Sequence, residues 1–492
     1  MNRQLTLLLA AAGSALLMLR SGLFAVDAAT AGLAFLLLLL CIGPSMQWVW
    51  GGMRHLPTFE LYALMHLIYY WQPAGKREGT VLSLDPERRL VFLGVVSLYL
   101  VAGWAAYFGM LRRRRTANTG WRFWNYEIPA MQATRLPWLL LGFWLLYNAL
   151  FQYGTIWDLI PGTALPLVRA LCIAAGMLGV FVIGHQAGQG RLSGFQVVAY
   201  AVAVAAGTLL SFASGYLAVG TVFAGNAFFA YTVGARRLPV GSLVAFVLLV
   251  SFLNYGKAEM RVRYWLLGES TDDLVELYSF WLKSSWEQFN LPEDRRSGAV
   301  SAFERANLTD VCARIITQTP HPLPYLGGQS YLDSLLLFVP RLFWPDRPSL
   351  HVIAGELGLR YGIHADVEST LSTMIALGQV GEAWANGGWL GVALVGAFFG
   401  LFFSAAALVA FGRDSATIGY LFGMSFVGFT VNLEHLTGTL LMTFYQTAIA
   451  TLVLLYWFSR RSLAPSTPAP RFPAEHGSEG ASPPTESARV SQ

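Results

Sequence analysis

Charge is what this sequence has least of. Asp, Glu, Lys and Arg make up 12% of its 492 residues, about half of what soluble domains carry, so the chain cannot clothe itself in a water-facing surface. Cysteine is scarce too. Cys41, Cys172 and Cys312 stand too far apart in sequence for a disulfide framework or a thiolate metal cluster. A dense basic patch is also missing: the formal excess of +5 is spread over helix ends, where the positive-inside bias explains it without a nucleic acid partner.

What the chain has in plenty is apolar length. Hydrophobic residues make up 55% of it, and runs of roughly 20, each enough for one helical crossing of a hydrocarbon core about 30 Å thick, recur as far as residue 458. They predict an all-α polytopic membrane protein of about twelve transmembrane helices, near 5–24, 30–50, 58–71, 89–111, 136–152, 165–185, 193–213, 215–233, 238–254, 387–411, 417–434 and 438–458. The first run follows Arg3 as a signal peptide would, but a second span comes almost at once and the topology works with the first retained. The third run is short; Tyr69, Tyr70 and Trp71 mark an interface there, or the segment is tilted or re-entrant.

Arg112, Arg113, Arg114 and Arg115 form a block that stays cytoplasmic. Counting outward from it puts Arg54, Arg191, Arg236, Arg237, Arg413, Arg460 and Arg461 on the same side, and both termini with them. Arg20, Lys76, Arg77, Arg88 and Arg89 fall on the other side. The chain then divides into an amino-terminal bundle of about nine spans (1–253), one large outer loop (254–386), about three further spans (387–459) and a cytoplasmic tail (460–492). The tail is rich in Pro, Ser, Glu and Ala and is expected to be disordered.

The outer loop is the natural place for a water-facing site. An amphipathic helix is predicted over 270–287, lying along the interface or packed on the bundle, a second over 300–316 and a third over 331–338 ended by Pro340; the proline-rich 319–324 stretch is irregular. The loop carries Arg261, Arg263, Arg295, Arg296, Arg305, Arg314, Arg341, Arg347 and Arg360. Guanidinium groups suit phosphate, since their planar fork gives two parallel charge-assisted bonds and keeps its proton; solvation or snorkelling is the plain alternative. Arg305 sits on a helix with an apolar side. Arg341 and Arg347 bracket a stiff segment from Pro340 to Pro348, where Asp346 offers either a simple salt bridge. His351, Glu356, His364, Asp366 and Glu368 supply acid-base groups without metal-ligand spacing, and His364 and Glu368 share a face only if their stretch is helical. Glu382, in the small-residue run Gly378–Gly388, and the Glu434-His435 pair lie near the membrane surface and must be paired or functional. Trp265, Tyr325, Tyr331, Phe343, Trp344, Tyr361 and Trp384 fit either sugar stacking or interfacial anchoring.

The order of these features resembles the bacterial oligosaccharide repeat-unit polymerases of the O-antigen and exopolysaccharide type. The resemblance lies in Arg305 on its helix, the stretch from Thr319-Pro320 to Gly327-Gly328-Gln329-Ser330-Tyr331, the run Pro340-Arg341-Leu342-Phe343-Trp344-Pro345-Asp346-Arg347-Pro348, and Gly381-Glu382-Ala383-Trp384-Ala385-Asn386-Gly387-Gly388-Trp389. It departs from the pattern in carrying Arg347 where members usually have lysine, which keeps the charge, and in lacking an aromatic pair around Asn386. The resemblance implies a GT-C-like helical bundle with a partly helical periplasmic loop, in the bacterial inner membrane. It implies glycosyl transfer between undecaprenyl-pyrophosphate-linked oligosaccharides, with no metal and no cofactor. A chain-length regulator and a flippase are its implied partners, beside membrane lipid. Carried onto this chain, the pyrophosphate-contacting role falls to Arg305, Arg341 and Arg347, and that of acceptor base or organiser to His364, Glu368 or Glu382. Arg261, Arg263, Arg314, Tyr331, Trp344, Arg360 and Trp384 are the further candidates for holding substrate. A glycan ligase would share nearly all of this; a flippase, the different-class alternative, usually has two comparable halves, which nine spans before the loop and three after do not give.

Overall fold

The structure, a computed structural model, describes residues 13–52, 55–76, 79–115, 122–132, 135–152, 160, 164–215, 217–267, 273–292, 307–339, 344, 350–372 and 376–459. Helix dominates: among the described residues the sole β feature is one isolated bridge between Glu127 and Thr417. The longer helices are α1 (Ala28–Trp50), α2 (Thr58–His66), α3 (Pro86–Arg115), α4 (Arg135–Gln152), α5 (Leu165–Gly188), α6 (Gly194–Phe212), α7 (Leu217–Ala235), α8 (Val240–Tyr255), α9 (Leu274–Asn290), α10 (Thr309–Gln318), α11 (Gln329–Leu335), α12 (Leu350–Arg360), α13 (Gln379–Ala410), α14 (Ile418–Ser425) and α15 (Thr437–Phe458).

Six of them, α1, α3, α5, α6, α13 and α15, are long and apolar enough to cross a bilayer, and α8 joins a short helix after it at a 59° bend. α4, α7 and α14 lie in shorter apolar helices. Large apolar side chains face outward along these helices, such as Leu139 (70% exposed) and Leu248 (64%). Only lipid can cover such residues without cost, so this is a membrane-embedded helical protein. Local signals fix several helix starts. Asp27 takes the Thr30 amide at 2.8 Å, Ser193 and Gln196 form a reciprocal capping box ahead of α6, and Thr417 accepts from the Tyr420 amide.

α3 and α13 form the central pair. A Cβ at Gly400 would collide with the carbonyl oxygen of Gly103, and one at Gly396 with that of Tyr99, so these glycines set how closely the two backbones approach. The short third run is explained by α2, which is wrapped by other helices: Phe59, Tyr62, Ala63, Tyr70 and Trp71 are all buried. It continues through a π-helical turn, Leu67–Trp71, rather than as a full lipid-facing span.

The loop helices fall close to where they were expected. The 270–287 helix runs from Leu274 to Asn290, capped by Asp273. It lies across the adjoining ends of α6, α7 and α8: Trp281 Nε1 donates to the Leu253 carbonyl at 2.7 Å, the Tyr278 hydroxyl donates to Leu209 O, and Phe212, Leu217, Leu253 and Leu277 share one apolar cluster. The 300–316 helix is seen as α10, and residues 293–306 lie outside the described ones. The third starts two residues early, at Gln329, because Gly328 takes a left-handed φ of 98° that turns the chain into it. α13 begins at Gln379, well before the span expected from 387, and is broken in its course at Gly387 and Gly388.

Candidate functional site

The break in α13 is the starting point. Gly388 has φ 56° and ψ −139°, a conformation that only glycine adopts at low cost. A Cβ there would meet the Tyr325 hydroxyl at 2.6 Å. At the break, the stretch leading into α11 pairs with the last carbonyls of the first helical half: Leu326 N–H donates to Ala385 O at 2.9 Å and Gly327 N–H to Asn386 O at 3.0 Å.

Two side chains then tie three segments together. Asn386 Oδ1 accepts the Gly328 amide at 3.1 Å, while its Nδ2 donates to Ser330 Oγ at 2.8 Å and to Glu382 O at 2.8 Å. Glu382 is 1% exposed. Its Oε1 accepts from the Ser330 hydroxyl at 2.9 Å and its Oε2 from the Thr437 amide at 2.7 Å, so the carboxylate fastens α11 and the start of α15 to α13.

Beside this knot opens a groove of about 540 Å³. Its long walls are apolar, with Leu335, Phe338, Leu390, Leu394, Phe398 and Leu441, and glycines at 327, 328, 387, 391 and 438 keep it wide. Leu390 and Leu394 are 69% and 60% exposed, so the groove is open on the flank that lipid covers. Its polar end holds Tyr331, Asn386 and Thr437. There the Tyr331 hydroxyl faces the Thr437 hydroxyl and the Asn386 amide, and Thr437 in turn faces Glu382. Burial pushes the Tyr331 phenol well above its ordinary range, so it stays a donor. The site is amphiphilic, with an apolar slot leading to a head of hydroxyl and amide groups.

The residues expected from sequence are distributed as follows. Arg305, Arg341 and Arg347 lie outside the described residues; Trp344 is the described member of its segment and is 38% exposed. Tyr331 and Glu382 meet at the groove head. Trp384 is 4% exposed and donates Nε1 to Thr319 O at 3.1 Å, edge-on to Tyr325 and Trp389, which makes it part of the wall behind the head. Arg360 Nη2 donates to Pro324 O at 2.8 Å and braces the same turn. His364 is buried in the turn after α12, whereas Glu368 is exposed on the next short helix, Val367–Ser372; they do not share one helix face. Arg261 donates to Gly215 O at 3.2 Å, and Arg263 pairs with Glu276 at 3.1 Å while lying 4.6 Å from the Phe280 ring centroid. Arg263 thereby serves the crossing of α9 and Arg261 the connection between α6 and α7, and neither lines the groove. Arg314 lines a second, separate cavity of about 430 Å³.

Ser330 and Asn386 stand in the stretches that carry the resemblance but had no role assigned from sequence, and Thr437 was not singled out. An Asn followed by Gly-Gly within an apolar run was the available signal, but its partners lie far along the chain. No group of three or more His, Cys, Asp or Glu placed to hold a metal ion occurs among the described residues. Compared with protein-family models, with curated proteins and with solved structures, the chain finds no match.

Proposed function

We propose that this chain is a membrane glycosyltransferase that joins lipid-pyrophosphate-linked oligosaccharide repeat units into an O-antigen or exopolysaccharide at the periplasmic face of a bacterial inner membrane. The observation that carries the reading is the amphiphilic groove. A polyprenyl chain needs a long apolar slot open to lipid, and its head needs donors at membrane depth where water cannot serve. The slot from Phe398 to Leu390 and the hydroxyls of Tyr331 and Thr437 meet both needs. About twelve spans in a GT-C-like bundle with both termini cytoplasmic belong to the same reading, as do a chain-length regulator and a flippase as partners.

In the reaction an acceptor sugar hydroxyl attacks the anomeric carbon of the donor. The bond from that carbon to the pyrophosphate oxygen breaks, the hydroxyl proton passes to a base, and the lipid pyrophosphate departs carrying the negative charge. Arg305, Arg341 and Arg347 are assigned to that charge, because fixed guanidinium groups stabilise a leaving pyrophosphate more as its charge develops. His364 and Glu368 are the candidates for the base. Glu382, with both oxygens engaged by donors, is assigned to positioning: it holds the helix that carries Tyr331.

The test is reconstitution of the purified protein with undecaprenyl-pyrophosphate-linked repeat units, followed by sizing of the products. A ladder of polymers is expected, lost in Arg305→Ala, Arg341→Ala and the slot-filling Leu394→Trp while each protein remains in the membrane. Undiminished polymer length in all three variants sinks the assignment. Transfer of preformed chains to a lipid A core in place of elongation identifies a ligase.

A further inference from the structure

The second cavity is separate from the groove. It lies between the short helix Thr80–Ser83, the outward face of α10 and Ile363. The opposite face of α10, with Cys312 and Ile315, is buried and packs toward Gly381 of α13, so the helix stands between the two sites. It is an open cavity of about 430 Å³, lined by Asp310, Arg314, Thr80, Thr317 and Gln318 among apolar Leu84, Val311 and Ile363.

Asp310 and Arg314 stand one turn apart on α10, a spacing at which a carboxylate and a guanidinium ordinarily pair. Here they do not pair with each other. Asp310 Oδ2 instead accepts from Asn307 Nδ2 at 2.9 Å, and Arg314 Nη1 reaches the Gly362 carbonyl at 2.6 Å. Each is held by a neutral partner. A guanidinium has five N–H donors and a carboxylate about four acceptor sites, so both retain capacity toward the cavity. The Thr317 hydroxyl donates to Arg314 O at 2.9 Å, which leaves its lone pairs as acceptors.

We infer that this cavity binds an uncharged, hydroxyl-rich ligand, a neutral stretch of the growing glycan beyond the reacting sugars; that occupant rests on the transferase reading above. The chemistry selects the class. A sugar hydroxyl is donor and acceptor together, and the cavity presents a strong acceptor, a strong donor and a mixed group side by side. The apolar residues suit the C–H faces of a sugar ring. One positive and one negative charge together cancel, so an anionic ligand would meet Asp310 and a cationic one Arg314, each at a loss. Held here, a long chain stays near the site between additions, while a single repeat unit has no further stretch to place there.

The test uses the reconstituted full chain, reading both the rate of the first joining of two repeat units and the final product length. Arg314→Met and Asp310→Asn lie on an exposed helix face and Thr317→Val is nearly isosteric, so each is compared at matched amounts of folded protein. Asp310→Asn and Thr317→Val are expected to leave the first joining within about twofold, while in all three variants the lost hydrogen bond weakens chain retention roughly tenfold and shortens the product several-fold. A benzoylphenylalanine placed at Gln318 is expected to capture elongated product and not the single unit. Wild-type length in Arg314→Met and Thr317→Val overturns the inference alone. Longer product in Asp310→Asn means that the ligand is anionic and overturns the stated class. Absence of any joining by the wild-type protein overturns the transferase reading, and the inference falls with it.

Discussion

Glu382 shows how one side chain can hold a site without touching its chemistry. Its two oxygens satisfy a hydroxyl on α11 and the first amide of α15, and each group left unpaired in a buried setting costs about 1–3 kcal/mol. Glu382→Ala is therefore expected to lower the thermal unfolding midpoint in detergent by several degrees and to abolish transfer with it. Glu382→Gln keeps the shape and one acceptor. It is expected to recover most of the stability and a measurable fraction of the activity. Full stability with transfer abolished in the Gln variant would instead make this carboxylate the base. Sequence alone placed Glu382 near the membrane surface as a group that must be paired or functional, but not its partners, since Ser330 and Thr437 are 52 and 55 residues away. Pairings of that range are made by the fold, and no local spacing reveals them.

Among elements, the apolar runs were the most readable feature. Those near 30–50, 89–111, 165–185, 193–213 and 438–458 coincide with α1, α3, α5, α6 and α15, because a bilayer imposes both length and composition on a span. α2 was less readable: a buried helix and a short span look alike in hydropathy, and only packing separates them. Nor did hydropathy reveal the interruption at Gly387-Gly388, which sits inside a run apolar on both sides. Gly388→Ala forces a side chain into a backbone region reserved for glycine, at about 1–3 kcal/mol, and against the Tyr325 hydroxyl. A lower unfolding midpoint and reduced transfer are expected, whereas Gly412→Ala, at a positive φ of 68° but with open space around it, is expected to lose stability without loss of specific activity. Gly400→Leu is a harsher test of the α3–α13 contact, where the obstacle is the Gly103 carbonyl. Backbone cannot rotate aside, so the variant is expected to be lost from the membrane fraction on an immunoblot.

For the whole molecule, the sidedness of the outer loop governs everything proposed for it. The three native cysteines are buried, so a membrane-impermeant maleimide should leave the wild-type protein unlabelled in intact spheroplasts. Lys283→Cys, on exposed α9, is expected to label from outside, and Arg237→Cys, in the connection between α7 and α8, only after lysis. The reverse pattern would turn the groove head and the second cavity toward the cytoplasm and end the periplasmic assignment. Trp281 and Tyr278 fasten α9 to the ends of neighbouring spans, like a lintel over three posts, so that corner cannot splay. At the groove, the residues leading out of α11 are tied to α15 through the Tyr445 hydroxyl on Phe338 O. The slot opens on the flank that bears Leu390 and Leu394, and from that side a bulky amphiphile can arrive and depart.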